Sequence, residues 1–106
     1  MAYEIVFSAL GDPTRKAVFD RLREGPQSVG ALAAGLPVSR PAISQHLKVL
    51  KEAGMVTDLA DGTRRLYRID RKGLEALKNW LVAVWEEAEL AHQAEIERQL
   101  EERRYS

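Results

Sequence analysis

At 106 residues, 45% hydrophobic and 30% charged, the chain suits a single domain over residues 1–106 with a core thin enough that help from a second subunit is expected. It contains no cysteine, which removes structural disulfides, thiolate zinc sites and cysteine nucleophiles together, and it has no run approaching the roughly 18 apolar residues of a membrane span. Sixteen Lys and Arg balance sixteen Asp and Glu, a neutral total that at first sight disfavours a polyanionic partner; with no charge-flanked apolar leader, a soluble cytoplasmic protein without a membrane partner is expected.

In chain order, Tyr3 to Leu10 predicts a short helix stopped at Gly11. Asp12 and Pro13 then make a start signal, because Asp accepts well at an N-cap and Pro at the first helical position gives up only an amide that would be unpaired anyway. This second helix is expected to run to about Glu24 with Ala17, Val18 and Leu22 inward, until Gly25 and Pro26 stop it. Ser28 can cap a third helix of one to two turns, with Val29, Leu32 and Ala33 inward and Gly35 as its stop. Four residues, Leu36 to Ser39, connect it to the next.

In the fourth predicted helix Ile43, Leu47 and Leu50 recur at i, i+4 and i+7, the spacing of a stripe that faces a core. The opposite face then carries Pro41, Gln45, Lys48 and Glu52, with Ser44 beside it. Hydroxyl, amide and ammonium groups are what base edges and phosphates require. The first turn, with Ser39 as cap and Arg40 next, adds free amides and a positive dipole end.

Gly54 ends that helix, and two strands, Met55 to Ala60 and Arg64 to Ile69, flank Asp61-Gly62-Thr63. Asp-Gly tolerates positive φ and signals a hairpin, whose tip would project Arg64 and Arg65 outward. A two-stranded ribbon is marginal alone and must pack on the helices.

From about Asp70 to Arg104 a last helical pattern runs without proline, and Leu74, Leu77, Leu81, Val84, Ala88 and Ala91 keep a 3-4 spacing that Trp80 and Trp85 widen. At 1.5 Å per residue it would reach roughly 50 Å, longer than so small a domain can cover, so its apolar face is expected to meet the same helix of a second subunit. Tyr3, Val6 and Phe7 join Leu74, Leu77, Trp80, Leu81, Val84, Trp85 and Ala88 as the expected dimer interface. Beyond Ile96 the composition is nearly all charge, and fraying is expected there.

Charge is partitioned along these pieces. Residues 1–36 hold four basic and four acidic side chains, residues 37–73 eight against four, and residues 74–106 four against eight. The surplus of +4 therefore lies on the segment with the polar reading face, where a local field can steer a polyanion despite the neutral total.

Helices, a β-ribbon and a long terminal helix follow the order of a winged helix-turn-helix, mainly α with a small antiparallel hairpin (α+β): helix-turn-helix about 28–53, wing about 55–69, dimerisation helix about 70–104. Three stretches in that order, ALGDPTRKAVFDRL, SRPAISQHLKVLKEAGMV and DGTRRLYRI, resemble the ArsR/SmtB family of small bacterial and archaeal transcriptional repressors, over roughly residues 3 to 85. The resemblance implies a homodimeric repressor that binds an imperfect palindrome in double-stranded DNA and releases it when an effector binds. The family's Ser-x-x-Ala-x-Ser-x-His-Leu falls on Ser39, Ala42, Ser44, His46 and Leu47. On that basis Ser44 and Gln45 are expected at base edges, with Ser39, Arg40, Pro41, His46 and Lys48 on phosphate or at the groove margin. A structural role for His46 stays open beside it. Arg64 and Arg65 correspond to the family's basic wing tip.

Metal-sensing relatives carry Cys-x-Cys on the third helix, and the matching positions here are Ser28 and Gly30. A second family site on the terminal helices finds His92 and Glu95 in its second half but Asn79 and Leu81 in its first, with Glu89 as a further oxygen donor. No cofactor and no complete metal site are therefore expected, a divergent site at His92 and Glu95 being the alternative. A protein-interaction module working through the acidic terminal helix is another alternative. An enzyme is not expected, since no catalytic set of residues can be assembled. The effector is not legible.

Overall fold

Four of the five helices start where a side-chain oxygen can accept a free amide, three of them at the caps the sequence predicts and the fourth at Asp70. In the computed structural model, which describes residues 2–105, the helices are α1 (Ala2–Leu10), α2 (Pro13–Arg21), α3 (Val29–Gly35), α4 (Arg40–Glu52) and α5 (Arg71–Arg104). Asp12 accepts from the Arg15 amide at 3.0 Å, Ser28 from Ala31 at 3.2 Å, Ser39 from Ala42 at 3.3 Å and Asp70 from Lys72 at 3.0 Å. The second helix changes character earlier than expected: α-geometry ends at Arg21 and a 3-10 turn carries Leu22–Glu24 up to Gly25, whose φ of 133° ends it.

The strands are β1 (Gln27–Ser28), β2 (Val56–Asp61) and β3 (Arg64–Ile69) in the order β1-β3-β2, all antiparallel. The expected hairpin is thus a three-stranded sheet. Gln27 and Ser28 pair with Tyr67 and Leu66, a two-residue strand too short to leave any alternation in the sequence. The turn is also one residue shorter than expected, starting at Gly62 instead of Asp61. Asp61 pairs with Arg64, so Gly62 and Thr63 form the bend, and only Gly62 has positive φ (64°), the φ pattern of a II′ rather than a I′ turn.

One core lies between the helices and the sheet. Val6, Val18, Leu32, Ile43, Leu47, Leu50 and Met55 are fully enclosed, with Phe19 and Val56 beside them. One expectation changes here. Val6 belongs to this protomer's own core and offers no surface to a second subunit. Trp80, Leu74 and Leu77 are half-buried within the protomer: Trp80 stacks on Tyr3 at 5.5 Å and meets the edge of Phe7 at 4.9 Å, while the two leucines pack against the core. These contacts bind α1 to α5 within the chain. Beyond them α5 runs clear of the rest, giving a molecule 75 Å long and 25 Å wide. It remains helical to Arg104, without the expected fraying after Ile96, helped by bonds from Arg98 and Gln99 to Glu95.

The root of α5 is fastened by backbone. The Asp70 amide donates to the Met55 carbonyl at 2.9 Å, and the Gly73 amide to the Gly54 carbonyl at 2.8 Å. A Cβ on Gly73 would stand 2.9 Å from the Gly54 oxygen and 3.0 Å from the Ala53 oxygen, both backbone atoms that cannot step aside. Gly73→Ala is therefore expected to destabilise the fold by about 1–3 kcal/mol, the usual cost of overpacking, read as a lower urea midpoint. A gain from helix propensity at this position would refute the close approach.

Candidate nucleic-acid interface

Burial on one side of α4 decides what stands on the other. Ile43, Leu47 and Leu50 are completely enclosed, and Pro41, Ser44, Gln45 and Lys48 are consequently exposed on the outer face, as the helical spacing predicts. The Ser39 hydroxyl is already committed as the cap. His46 is half-buried, with Nδ1 sealed from solvent and without a hydrogen-bond partner. That position is flank rather than reading face.

Arg40, at the start of α4, leans back over α3. Its guanidinium occupies the space that a side chain on Gly30 would need: a Cβ at that position would stand 2.5 Å from Nη2, so the bare backbone of Gly30 makes room for it. Arg40 makes no ion pair among the described residues. Together with Arg64, Arg65, Ser28 and Tyr67 it lines an open cleft between the reading helix and the wing. Sequence reasoning missed Gly30 and Ser28 as members of this cleft. Only the β1 pairing brings them there.

The wing arginines are exposed but not idle. Arg64 donates to Asp61 through Nε and Nη2, at 3.2 and 3.1 Å. Arg65 donates to Asp58 at 2.6 Å, and the other oxygen of the same carboxylate takes the Lys51 ammonium at 2.7 Å. The strand register explains this: Val56, Asp58, Ala60, Arg65, Tyr67 and Ile69 share the side of the ribbon that faces the helices, while Arg64, Leu66 and Arg68 share the other. Both arginines project outward as expected, and each is paired with an aspartate of the wing.

Away from this face, Leu81, Val84, Trp85 and Ala88 of α5 are exposed, Trp85 to 70% and Leu81 to 57%, and Phe7 of α1 is 45% exposed beside them. His92 is exposed, and Glu95 is engaged by Arg98 and Gln99. No cluster of three or more His, Asp or Glu able to hold a metal occurs among the described residues of one protomer. Among the described residues no helix is long and apolar enough to cross a membrane.

Hydrogen bonds from Lys51 and then Arg65 hold the Asp58 carboxyl below its ordinary value of 3.8. A carboxyl lowered on folding adds stability above the unfolded value and loses it as the pH falls toward the folded one. Acidification below about pH 4 should therefore cost the wild type more stability than Asp58→Asn, the difference between their urea midpoints narrowing with each step. Parallel pH profiles would show that the clasp contributes nothing to folding.

Comparison with known proteins agrees with this geometry. A family model described as a helix-turn-helix domain matches residues 10–58. The HTH-type transcriptional regulator Rv2034 of Mycobacterium tuberculosis is 55% identical over 82 residues, 77% of each chain. An ArsR-like transcriptional regulator from Rhodococcus sp. RHA1 superposes with a TM-score of 0.79 at 33% identity, covering 88% of both chains. The homodimeric winged helix-turn-helix DNA-binding domain of Mb0332 from Mycobacterium bovis, a possible ArsR-family regulator, superposes at 0.63 with 30% identity over 86% of this chain and 83% of that one.

Proposed function

The chain belongs to the ArsR/SmtB family of winged helix-turn-helix transcriptional regulators, and from that premise we propose that two copies bind an imperfect palindrome in double-stranded DNA and repress transcription by occupying it. The observation that carries this reading is the division of α4 into a fully enclosed apolar stripe and an exposed Ser44, Gln45 and Lys48 face beside an arginine-lined cleft.

In this reading α4 enters the major groove. Gln45 and Ser44 meet base edges, where a side-chain amide can make the paired bonds that distinguish adenine. Arg40, Lys48 and the helix N-terminus grip phosphate, which positions the protein without reading sequence. Between a major groove holding α4 and a neighbouring minor groove under the wing runs one ridge of sugar and phosphate. The cleft suits that ridge through Arg40 and Arg64, with Arg65 held back on its wall by Asp58. Arg64, held only by an exposed pair with Asp61, can exchange that partner for a phosphate at little cost.

The second copy meets the exposed stripe of α5. Leu81, Val84 and Trp85, with Phe7, form an apolar surface beyond what one protomer covers. Pairing across a two-fold axis there would present two reading helices to successive major grooves about 34–36 Å apart. The homodimeric architecture of the Mycobacterium bovis domain supports this arrangement.

Two measurements test the reading, starting from an operator selected by the wild-type protein from random duplex DNA. Gln45→Ala should relax preference at one base step by about 1–3 kcal/mol, whereas Arg40→Ala should weaken all sequences alike and flatten the salt slope by about 1. If neither moves binding, the reading face is wrongly placed. Separately, Leu81→Asp with Trp85→Asp should convert the dimer to a folded monomer in sedimentation and reduce operator affinity at least tenfold, since one half-site is then held alone. A variant that still sediments as a dimer would place the interface elsewhere.

A further inference from the structure

The least exposed charged side chain of the wing is an acid standing next to a surface that is read here as binding a polyanion. The Asp58 side chain is only 5% exposed, and each of its oxygens is taken by a different cation, Lys51 of α4 and Arg65 of β3, both more than half exposed. Resting on the DNA-binding reading above, we propose that Asp58 is a specificity-determining positioning residue, a strut that fixes the wing at a set distance from the reading helix and withholds Lys51 and Arg65 from non-specific phosphate contacts.

Helix geometry supplies the connection. Ser44, Lys48 and Lys51 stand at i, i+4 and i+7 on α4, one row of neighbouring side chains that leads from the reading face to the wing. From Lys51 the row passes through the two oxygens of Asp58 to Arg65. Arg65 in turn reaches the cleft that also holds Arg40. One row of α4 side chains thus leads from a base-reading residue toward the wing, and the carboxylate joins the last of them, Lys51, to Arg65.

Stability does not account for the placing of that carboxylate. Its clasp adds to folding, but a pair that only stabilised would not need to draw one cation from α4 and the other from β3. Next to DNA, the same carboxylate repels phosphate and neutralises one of two nearby cations. What it supplies is geometry. Base contacts in one groove and wing contacts in the next add up only if their separation is set before binding, and a loose wing would incur an ordering cost on each encounter. Non-specific binding needs no such separation, only cations.

Removing the carboxylate should therefore push the two kinds of binding in opposite directions. With wild type and Asp58→Asn, fluorescence anisotropy on the selected operator and on a scrambled duplex, across a KCl series, separates them. For Asp58→Asn the scrambled duplex is expected to bind several-fold more tightly, with a salt slope steeper by about 1–2 as Lys51 and Arg65 reach phosphates, while the ratio of operator to scrambled affinity falls by about tenfold. Adding Arg65→Gln to Asp58→Asn should return the slope toward wild type without restoring the ratio. Far-ultraviolet circular dichroism checks folding; should Asp58→Asn not fold, Lys51→Gln cuts one arm of the strut and is expected to lower the ratio without steepening the slope. Equal loss of both affinities, or an unchanged ratio, overturns the strut. A wild type that selects no duplex at all would overturn the DNA-binding reading together with it, so the two failures are told apart by the wild-type arm.

Discussion

Three side chains on α4, Ile43, Leu47 and Leu50, are enclosed completely, and everything the molecule offers to a partner is arranged around that fact. Burying each contributes about 1.5–3 kcal/mol, whereas an exposed ion pair contributes about 0–1. Rotating the helix would therefore lose far more than any surface contact could return. With its inner face committed, α4 has no freedom in what it shows outward: Pro41, Ser44, Gln45 and Lys48 are exposed because Ile43, Leu47 and Leu50 are not.

The same core sets the two flanking elements. Met55 and Val56 enter it directly after Gly54, so β2 leaves the end of the reading helix at a fixed point, and the wing follows from there. Backbone bonds from Asp70 to Met55 and from Gly73 to Gly54 then anchor α5 to that same junction. Reading helix, wing and terminal helix thus share one root of a few residues. The Gly73 contact therefore fixes the start of α5 to the junction of α4 and β2, and with it the direction in which the apolar stripe farther along the helix is carried.

What the sequence made legible were features whose signals are local. Caps at Asp12, Ser28 and Ser39 and the 3-4 spacing of Ile43, Leu47 and Leu50 depend on residues a few positions apart, and each is where it is expected. What it concealed depends on residues far apart. The pairing of Gln27 with Tyr67 has no periodicity in two residues, and the placing of Arg40 over Gly30 needs the angle between two helices. Periodicity marks Val6 and Trp80 as apolar without saying which neighbour covers them, so a partner subunit and the chain itself look alike in the sequence; here α1 and α5 cover one another. The pairing of Arg65 with Asp58 follows from strand register, which a one-residue shift in the turn is enough to obscure.

Charge shows the same distinction between inventory and arrangement. Of the eight cations in residues 37–73, Lys51, Arg64 and Arg65 are held by Asp58 and Asp61, whereas Arg40 and Lys48, on the reading side, make no ion pair among the described residues. Three of the four acids have local duties: Asp70 caps α5, Asp61 holds Arg64 and Asp58 joins α4 to the wing. None of these three carboxylates lies on the outer face of α4. Salt bridges leave formal charge unchanged, so the surplus of +4 persists, but they decide which cations can move. Arg40 and Lys48 are free to meet an anion, Arg64 can do so by leaving its exposed pair with Asp61, and Lys51 and Arg65 fix the surface between them.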